Sequence, residues 1–376
     1  MNYEIRHFNT PVLRFSADDG AESNLQVLWV TENKKLLPLD MASSDKDTVS
    51  AWLRHRTVPK NRAYVNSLLA AMGLSPNRKM DVIKASKGLS LNDCYWVVEE
   101  GFAGTFEKYN LYDNRFSRVL GLIAFTGYGS EQVPGMTSSP ELTTNGMLPK
   151  CWRREGGIKL FKGGTEGASN TGNEPYSEFY AAEIAKLLGV NAIPYTLKQW
   201  QDRLCSVCDL FTSKELSFVP IGRIVKTGGM KAVREFYETL GDEFVQALNE
   251  MIIFDAVIYN IDRHYGNFGV LVDSKTNKIV APAPLFDHGN ALFSLAGQAA
   301  LESEKGMEQY AATLMPCVYD DFVKEAKSVM THEQRNRLRS LLKLRIQRHS
   351  RYNLPQERLR LIEKQVIKRV QELLGD

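Results

Sequence analysis

The chain has 376 residues, of which 43% are hydrophobic and 24% charged. This composition can bury a large core and excludes disordered and fibrous classes, and at about 150 residues per domain the length predicts two to three units. The net charge of +3 hides a split, because residues 331–376 carry 12 Lys/Arg and 5 Asp/Glu, a local charge of +7. A mildly acidic body followed by a basic C-terminal segment is the first feature to explain.

Cysteine use and hydropathy predict a cytoplasmic, soluble protein. Five cysteines spread thinly through a long chain do not form a disulfide framework. Cys205 and Cys208 lie in a segment typical of a buried strand (RLCSVCDLF), which favours core cysteines over zinc ligands. The N-terminus lacks the apolar stretch of a signal peptide, and the longest uncharged stretch, near 119–130, is too short to cross a bilayer.

The N-terminal third predicts strands followed by helices. The first 40 residues alternate weakly and predict a small strand pair, and the pattern from Thr48 to Lys87 is helical. The stretch from Gly129 to Asn145 is rich in small, polar and turn residues, which predicts either a linker or a mobile functional loop. Residues 1–125 carry no motif that assigns them a role.

An α/β pattern follows. Ile158–Phe161 is predicted as a strand, and a Gly-rich segment leads to a helix over Pro175–Leu188 that Asn173 caps and Gly189 ends. Further elements are predicted in chain order: strands over Leu204–Phe211 and Val219–Val225, a helix over Phe244–Tyr259, and helices through the last 55 residues, with Leu359, Ile362, Val366, Val370 and Leu373 on one face.

The segment Asn260–Asn290 carries the most informative pattern. Asp262 and Asn267 have the D-x-x-x-x-N spacing of a kinase catalytic loop, in which the Asp accepts the proton of the substrate hydroxyl and the Asn binds magnesium. A hairpin of Phe268–Val272 and Lys278–Ala281 through a DSKTN turn would bring Asp287 back beside Asn267. Mg²⁺ needs hard oxygen ligands across the phosphates of ATP, which Asn267 and Asp287 can supply, while the separate carboxylate of Asp262 faces the incoming hydroxyl.

Each of these residues also has a purely structural interpretation. A single Asp after a helix is usually a cap or a turn former, and Asn267 before Phe-Gly could be a turn residue. The joint spacing is what favours the catalytic interpretation. His264 and His288 stay ambiguous between buried hydrogen-bonded histidines and residues that orient the site, and His264 is the stronger candidate for a catalytic role.

A second pattern lies upstream. Lys159 projects from one face of the predicted strand, and Glu178 lies on the following helix among small alanines that permit close approach. In kinases a Lys–Glu pair of this kind holds the lysine on the α- and β-phosphates. A strand lysine is more often a solvated edge charge, but its place about 100 residues before D-x-x-x-x-N has the order that a kinase requires.

Together these motifs resemble the HipA-like family of bacterial serine/threonine kinases. The resemblance covers about residues 130–345, and it rests on NGMLPK (145–150), IKLFK (158–162), SEFYAAEIAKLLGV (177–190), NIDRHYGNFGVLV (260–272) and PLFDHGN (284–290). It implies an α+β, bilobal protein-kinase-like fold with a small β-rich N-lobe at 126–212, a mainly helical C-lobe at 213–376 and an extra N-terminal module at 1–125.

The resemblance also implies roles for individual residues and the cofactors ATP and Mg²⁺. Asp262 would be the catalytic base, Asn267 and Asp287 the magnesium ligands, Lys159 the phosphate-binding lysine and Glu178 its partner. Four further positions would contact the nucleotide: Gly146 and Lys150 in a phosphate-covering loop, and Asp209 and Phe211 near an adenine-binding hinge. Ser138 and Ser139 are candidates for autophosphorylation. The implied partners are a protein substrate and a small helix-turn-helix antitoxin-like protein.

Two other functional classes stay open. Asp262, His264, Asp287 and His288 could bind a transition metal in a phosphohydrolase, although Lys159 would then have no task. The basic C-terminal helices could belong to a non-catalytic regulatory protein that associates with DNA. Because Tyr352 is the only aromatic residue after Thr331, base stacking and direct nucleic-acid binding are not favoured.

Overall fold

The computed structural model describes residues 1–18, 24–41, 43–129, 133, 139–167 and 170–375. They form two compact units. The first unit comprises Met1–Lys162, Asp209–Val219 and Leu271–Val280, and the second comprises Gly163–Cys208, Pro220–Val270 and Ala281–Asp376. Sheets are concentrated in the N-terminal region and helices in the C-terminal part, which confirms the predicted α+β class. The predicted functional boundaries near residues 125 and 212 stay predictions, because compactness alone assigns no role to a segment.

A four-stranded antiparallel sheet of order β3-β2-β1-β4 opens the first unit. Its strands are β1 (Asn2–His7), β2 (Thr10–Ser16), β3 (Gln26–Val30) and β4 (Tyr95–Glu99). Alternate residues of a strand point to opposite faces, and β4 is buried on both: Tyr95 and Val97 join one hydrophobic cluster, and Trp96 and Val98 another. The sequence predicted only a strand pair, because β4 follows a long helical segment.

Short helices lie between and after these strands along the chain. They are α1 (Lys46–Arg54), α2 (Val65–Ala70), α3 (Lys79–Ser86), α4 (Phe106–Tyr109) and α5 (Arg118–Thr126). The helical pattern predicted from Thr48 to Lys87 is thus divided into three helices, with Pro59 and Pro76 in the two interruptions. Trp52 and Leu53 of α1 are buried against the sheet.

The first unit also contains a hairpin of β5 (Lys150–Arg154) and β6 (Ile158–Gly163), the latter confirming the predicted strand at 158–161. Lys150 lies opposite Lys162 in this antiparallel pair, and Arg153 lies opposite Lys159. Much of the predicted linker or loop at 129–145 lies outside the described residues.

The second unit begins with the Gly-rich segment and α6 (Glu174–Leu188), which ends at Gly189 with φ 67°. Asn173 precedes the helix, but its side chain does not cap it as predicted; its Nδ2 donates to the carbonyl oxygens of Asn170 and Ser294, each at 3.1 Å. An antiparallel pair follows, β7 (Thr196–Trp200) and β8 (Arg203–Asp209). Cys205 and Cys208 are buried on β8, as predicted for core cysteines.

The predicted strand over Val219–Val225 is wrong in its second half. Strand β9 (Leu216–Pro220) ends at Pro220, which has no N–H with which to continue a ladder, and Ile221–Ile224 form the short helix α7. The Ile221 N–H donates to Phe268 O at 2.9 Å, so this turn is held against the start of the next strand.

The remaining helices and strands largely follow the predicted order. They are α8 (Gly229–Leu240), α9 (Asp242–Ile258), β10 (Gly269–Asp273), β11 (Lys278–Pro282), α10 (Gln298–Leu301), α11 (Glu304–Ala311), α12 (Phe322–Val329), α13 (His332–Arg339) and α14 (Gln356–Leu374). β10 and β11 are neighbours in a three-stranded sheet with β9, which confirms the hairpin. The five apolar residues predicted on one face of α14 are all buried. Within the described residues, no helix has the length and apolar composition that a bilayer crossing requires.

Candidate active site

The loop that follows α9 is positioned by Asp255, a carboxylate buried in the apolar C-terminal half of that helix. Helix α9 ends at Tyr259, whose φ of 52° turns the chain, and the Asn260 N–H donates to Asp255 O at 2.9 Å. The Asn260 side chain donates to Asp255 Oδ1 at 2.8 Å. The start of the loop is therefore fixed to the helix by both backbone and side chain.

Arg263 uses its whole guanidinium group to hold the site together. Nε and Nη2 donate to the two carboxylate oxygens of Asp255 at 2.9 and 3.0 Å. Nη1 donates to Asn267 O at 2.9 Å and to Phe286 O at 2.7 Å. The carbonyl oxygens of Asn267 and of Phe286, the residue before Asp287, thus accept hydrogen bonds from the same guanidinium nitrogen. This brings the two chain segments together, as the hairpin pattern predicts.

Asp262 lies beside this clamp and is partly exposed. Its Oδ2 accepts a hydrogen bond from Asn290 Nδ2 at 2.9 Å, and its backbone carbonyl accepts one from the His264 N–H at 2.8 Å. The carboxylate is therefore held in one orientation, while its backbone closes the turn. A carboxylate that is both oriented and accessible can accept a proton from a hydroxyl group.

Asn267 is buried, and its amide group has a defined orientation. Its Nδ2 donates to Asp262 O at 3.2 Å, so the oxygen Oδ1 is the atom available as a metal ligand. Asp287 has a left-handed backbone conformation with φ 59°, which is uncommon for a non-glycine residue and is often found at functional sites. Its N–H donates to the Tyr195 hydroxyl at 3.2 Å.

Helix α6 supports the same loop from Glu178 and Ser177. The His288 N–H donates to Glu178 Oε2 at 2.9 Å, and Ser177 Oγ lies 2.6 Å from His288 O. Because Arg263 can only donate, its 3.0 Å contact makes His288 Nδ1 an acceptor, so this ring is neutral with its proton on Nε2. His288 is fully buried and packs edge-on against Phe254.

His264 differs from the other members of the loop. Its side chain is exposed, and Nδ1 accepts a hydrogen bond from the Gly266 N–H at 3.0 Å. This contact stabilises the turn between Asp262 and Asn267. The catalytic role assigned to His264 stays a prediction.

Lys159, Asp209 and Phe211, which the resemblance assigns to nucleotide binding, all make contacts with other residues of the first unit. The sequence paired Lys159 with Glu178, but the Lys159 ammonium instead forms an ion pair with the exposed carboxylate of Asp209. Phe211 packs edge-on against Phe218, with ring centroids 5.4 Å apart. Lys159 and Asp209 therefore neutralise each other at one position, and Phe211 belongs to a local aromatic cluster.

Gly146 and Lys150 form a closed loop. Lys150 Nζ donates to Asn145 O at 2.9 Å, and a Cβ built at Gly146, where φ is 92°, would overlap that ammonium group. Glycine is favoured at this position because residues with a side chain rarely adopt this φ. Of the candidate autophosphorylation sites, Ser139 is buried and Ser138 lies outside the described residues.

The sequence prediction missed Lys162, Asp255 and Arg263. Lys162 is only 6% exposed and lies directly opposite Lys150, so the two side chains leave the hairpin on the same face. Lysine is almost never fully buried unless it is paired, and two ammonium groups on one face favour a bound or neighbouring anion. Its burial and its place opposite Lys150 make Lys162 a second candidate for phosphate binding beside Lys159.

The oxygen donors fit a magnesium ion. Asn267 and Asp287 offer amide and carboxylate oxygens, the ligands that Mg²⁺ prefers when it is shared with phosphates. Among the described residues, no group of three or more His, Cys, Asp or Glu could by itself hold a metal ion.

The sequence matches no protein-family model and no curated protein. Among solved structures, the chain is similar to HipA of Shewanella oneidensis MR-1, from a toxin–antitoxin complex with HipB and operator DNA. The TM-score is 0.56 at 14% identity, over 99% of this chain and 97% of that one. The chain has a HipA-like kinase fold. A second similar structure is the proinflammatory kinase CtkA of Helicobacter pylori, with a TM-score of 0.49 and 15% identity over 62% of this chain and 90% of that chain.

Proposed function

We propose that this HipA-like protein transfers the γ-phosphoryl group of ATP to a serine or threonine hydroxyl of a protein, and that it also phosphorylates itself. The observation that supports this most strongly is the Arg263 clamp, which places Asn267 and Phe286–Asp287 on one guanidinium group beside Asp262. Phosphoryl transfer needs little covalent chemistry from a protein, and it depends on positioning and charge.

In this proposal Asp262 accepts the proton of the substrate hydroxyl, and Asn290 keeps the carboxylate facing the incoming group. Asn267 Oδ1 and the Asp287 carboxylate hold magnesium. When bound, the ion neutralises charge on the phosphates. The contacts are consistent with one residue as base and the other as metal ligand. The Asp262 carboxylate is oriented by the amide donor of Asn290, whereas the Asn267 amide donates into the loop and leaves its oxygen for the metal.

Lysine side chains supply the phosphate contacts. Lys162 and Lys150 share one face of the β5–β6 hairpin, and the Gly146 loop closes over Lys150. Lys159, which forms an ion pair with Asp209, is the alternative. ATP affinity in Lys162→Met and Lys159→Met variants separates the two, and the larger loss is expected for Lys162→Met.

The phosphohydrolase alternative has less support. It would use His288 as a metal ligand, yet this ring is buried and its Nδ1 accepts a hydrogen bond from Arg263. Cofactor dependence separates the two functions. A kinase requires ATP with Mg²⁺, whereas a hydrolase of this type would act with Mn²⁺ or Fe²⁺ without a nucleotide.

A small helix-turn-helix protein is the proposed regulatory partner. The support is by analogy, since the Shewanella HipA structure contains HipB and operator DNA. Co-expression with the product of the neighbouring reading frame, followed by size-exclusion chromatography, would test it. Separate elution of the two proteins at micromolar concentration would argue against a stable complex.

The test of the proposed reaction is Asp262→Asn, which removes the base but keeps the shape of the side chain. We expect phosphoryl transfer from labelled ATP to fall by at least about 100-fold, while ATP binding is retained, because a general base contributes about 10²–10⁴ to the rate. Asp202→Asn is the matched control, since Asp202 is exposed in the β7–β8 turn and Asn tolerates its left-handed conformation. Undiminished labelling in the Asp262 variant would refute the assignment.

A further inference from the structure

The loop 143–149 contains Asn145, Gly146 and Met147, all of which are exposed. Its base is not. Thr143 Oγ1 donates to Leu89 O at 2.6 Å, and Thr144 Oγ1 donates to Pro140 O at 2.7 Å. The loop therefore combines an accessible tip with a fixed base, an arrangement that suits a segment covering a ligand.

Both ends of this loop are held by a single side chain, Arg62, which precedes α2. Its Nη1 donates to Glu141 O at 2.8 Å, at the start of the loop. Its Nη2 donates to Lys150 O at 2.6 Å, at the end of the loop, and to Glu141 Oε2 at 3.0 Å. One planar guanidinium thus sets the separation of the two ends.

The neighbouring contacts reinforce the same geometry. The Ala63 N–H donates to Met147 O at 2.8 Å, so the chain next to Arg62 also reaches the exposed tip. Glu141 Oε1 accepts a hydrogen bond from the Trp152 N–H at 2.8 Å, which joins the pair to strand β5. The side chains of Arg62 and Glu141 are 0% and 1% exposed, so water does not compete for these bonds.

We propose that Arg62 is a positioning residue for nucleotide binding: it holds the loop 143–149 in the conformation that covers the phosphates. The inference rests on the proposed kinase function. It gives a role to part of residues 1–125, which carry no recognisable motif. A loop ordered in advance does not lose conformational freedom when the ligand binds, and the affinity gains accordingly.

The variant that tests this must not leave a buried charge. Arg62→Met alone would strand Glu141 in the interior and could unfold the chain, whereas Arg62→Met with Glu141→Leu removes both charges and keeps the volume. Arg154→Met is the matched control. Arg154 lies on β5, the strand that follows the loop, and it also donates to backbone carbonyls, those of Leu111, Tyr112 and Asn114, but not to the loop.

The first measurement needs no nucleotide. Amide hydrogen exchange of peptides covering 143–149 should be at least about tenfold faster in the double variant than in the wild type or Arg154→Met, because opening of the loop controls exchange. Unchanged exchange in a folded double variant would overturn the proposal.

The second measurement is binding of ATP with Mg²⁺ by calorimetry. The double variant should bind about tenfold more weakly, with a larger unfavourable entropy, whereas a merely structural role would leave affinity unchanged in the folded fraction. Faster exchange without loss of affinity would overturn the link to the nucleotide. A wild-type protein that binds no ATP would instead refute the proposed kinase function, and the exchange data would still decide whether Arg62 holds the loop.

Discussion

Arg263 satisfies all five of its N–H donors in the protein interior. Two go to Asp255, two to the carbonyl oxygens of Asn267 and Phe286, and one to His288 Nδ1. Burial disfavours the charged guanidinium, but the neighbouring acidic groups, Asp255 foremost among them, together outweigh that effect and raise the pKa of Arg263. The planar five-donor fork cannot be reproduced by a lysine.

We therefore expect Arg263→Lys to affect both stability and activity. A lysine has three donors in place of five and a different geometry, so some of the buried acceptors that Arg263 satisfies lose their partners, and the free energy of unfolding should fall by about 3–5 kcal/mol. Phosphoryl transfer should be lost as well, because Asn267 and Asp287 are no longer held together. Urea unfolding and labelled-ATP transfer measure the two effects.

The control for this variant is Arg337→Lys. Arg337 pairs with Glu250 at 2.7 Å, but both side chains are partly exposed, so a loss below about 1 kcal/mol is expected. Equal losses in the two variants would contradict the special role of Arg263.

The sequence predicts the candidate catalytic and metal-binding residues, but it does not predict the residues that position them. Asp262, Asn267 and Asp287 were predicted because their spacing is local and the hairpin between them has a clear turn signal. Asp255 was missed, although a carboxylate inside the apolar run of α9 is a sequence signal for a buried partner. Lys162 was missed because strand alternation gives the face of a lysine but not whether that face is covered.

At the scale of elements, glycine, proline and turn residues set where helices and strands end, and they explain which predicted boundaries are correct. Gly189 ends α6 where the sequence placed its end, and the turn Asp273–Asn277 closes the hairpin as predicted. Pro220 ends a strand that the sequence pattern predicts as far as Val225. Local chemistry thus predicted where elements begin and end, while the pairing of β4 with β1 depends on contacts between distant segments, which one sequence does not reveal.

His7 connects two elements of the first unit, strand β1 and the turn after β10. Its Nε2 lies 2.6 Å from Ser274 O, and a carbonyl only accepts, so this nitrogen carries the proton. The ring is buried and stacks on Tyr95 at 4.7 Å. Burial is the main cause of a lowered pKa for His7, with smaller opposing contributions from Ser274 and Asp93.

This lowered pKa predicts a pH dependence of stability. Below about pH 6.5 the unfolded chain binds a proton that folded His7 resists, so stability is lost as the pH falls from about 6.5 towards the lowered folded value. His7→Gln keeps an N–H donor but does not titrate. The fall in the urea midpoint between about pH 7.5 and 5.5 should therefore be smaller in this variant than in the wild type.

His332→Gln serves as the control for the pH experiment, because His332 is exposed at the start of α13. It should retain the pH dependence of the wild type. The same acid sensitivity in the His7 variant would show that other groups are responsible.

At the scale of the whole chain, the charge split acquires a structural explanation. Basic residues of the C-terminal segment pair with acidic residues of earlier helices in the second unit: Arg337 with Glu250, Lys364 with Glu304 and Lys368 with Glu308. Part of the positive charge at 331–376 thus meets carboxylates from the acidic body. This basic segment contributes to the packing of its own unit.

The two lysine pairs between α11 and α14 form a ladder, since Glu304 and Glu308 are one turn apart, as are Lys364 and Lys368. The hydrogen bond from Lys364 lowers the pKa of Glu304, so the paired charged form is favoured. These side chains are all partly or fully exposed, and salt should screen their attraction.

We expect Glu304→Gln with Glu308→Gln to lower the urea midpoint at about 0.05 M NaCl, and the difference from the wild type to shrink at about 1 M, where the screening length is about 3 Å. Glu235→Gln is the control, because Glu235 pairs with Lys231 within a single helix and joins no two elements; its effect should be smaller at low salt. A deficit in the double variant that persists at high salt would mean that Glu304 and Glu308 stabilise the α11–α14 contact by packing rather than by charge.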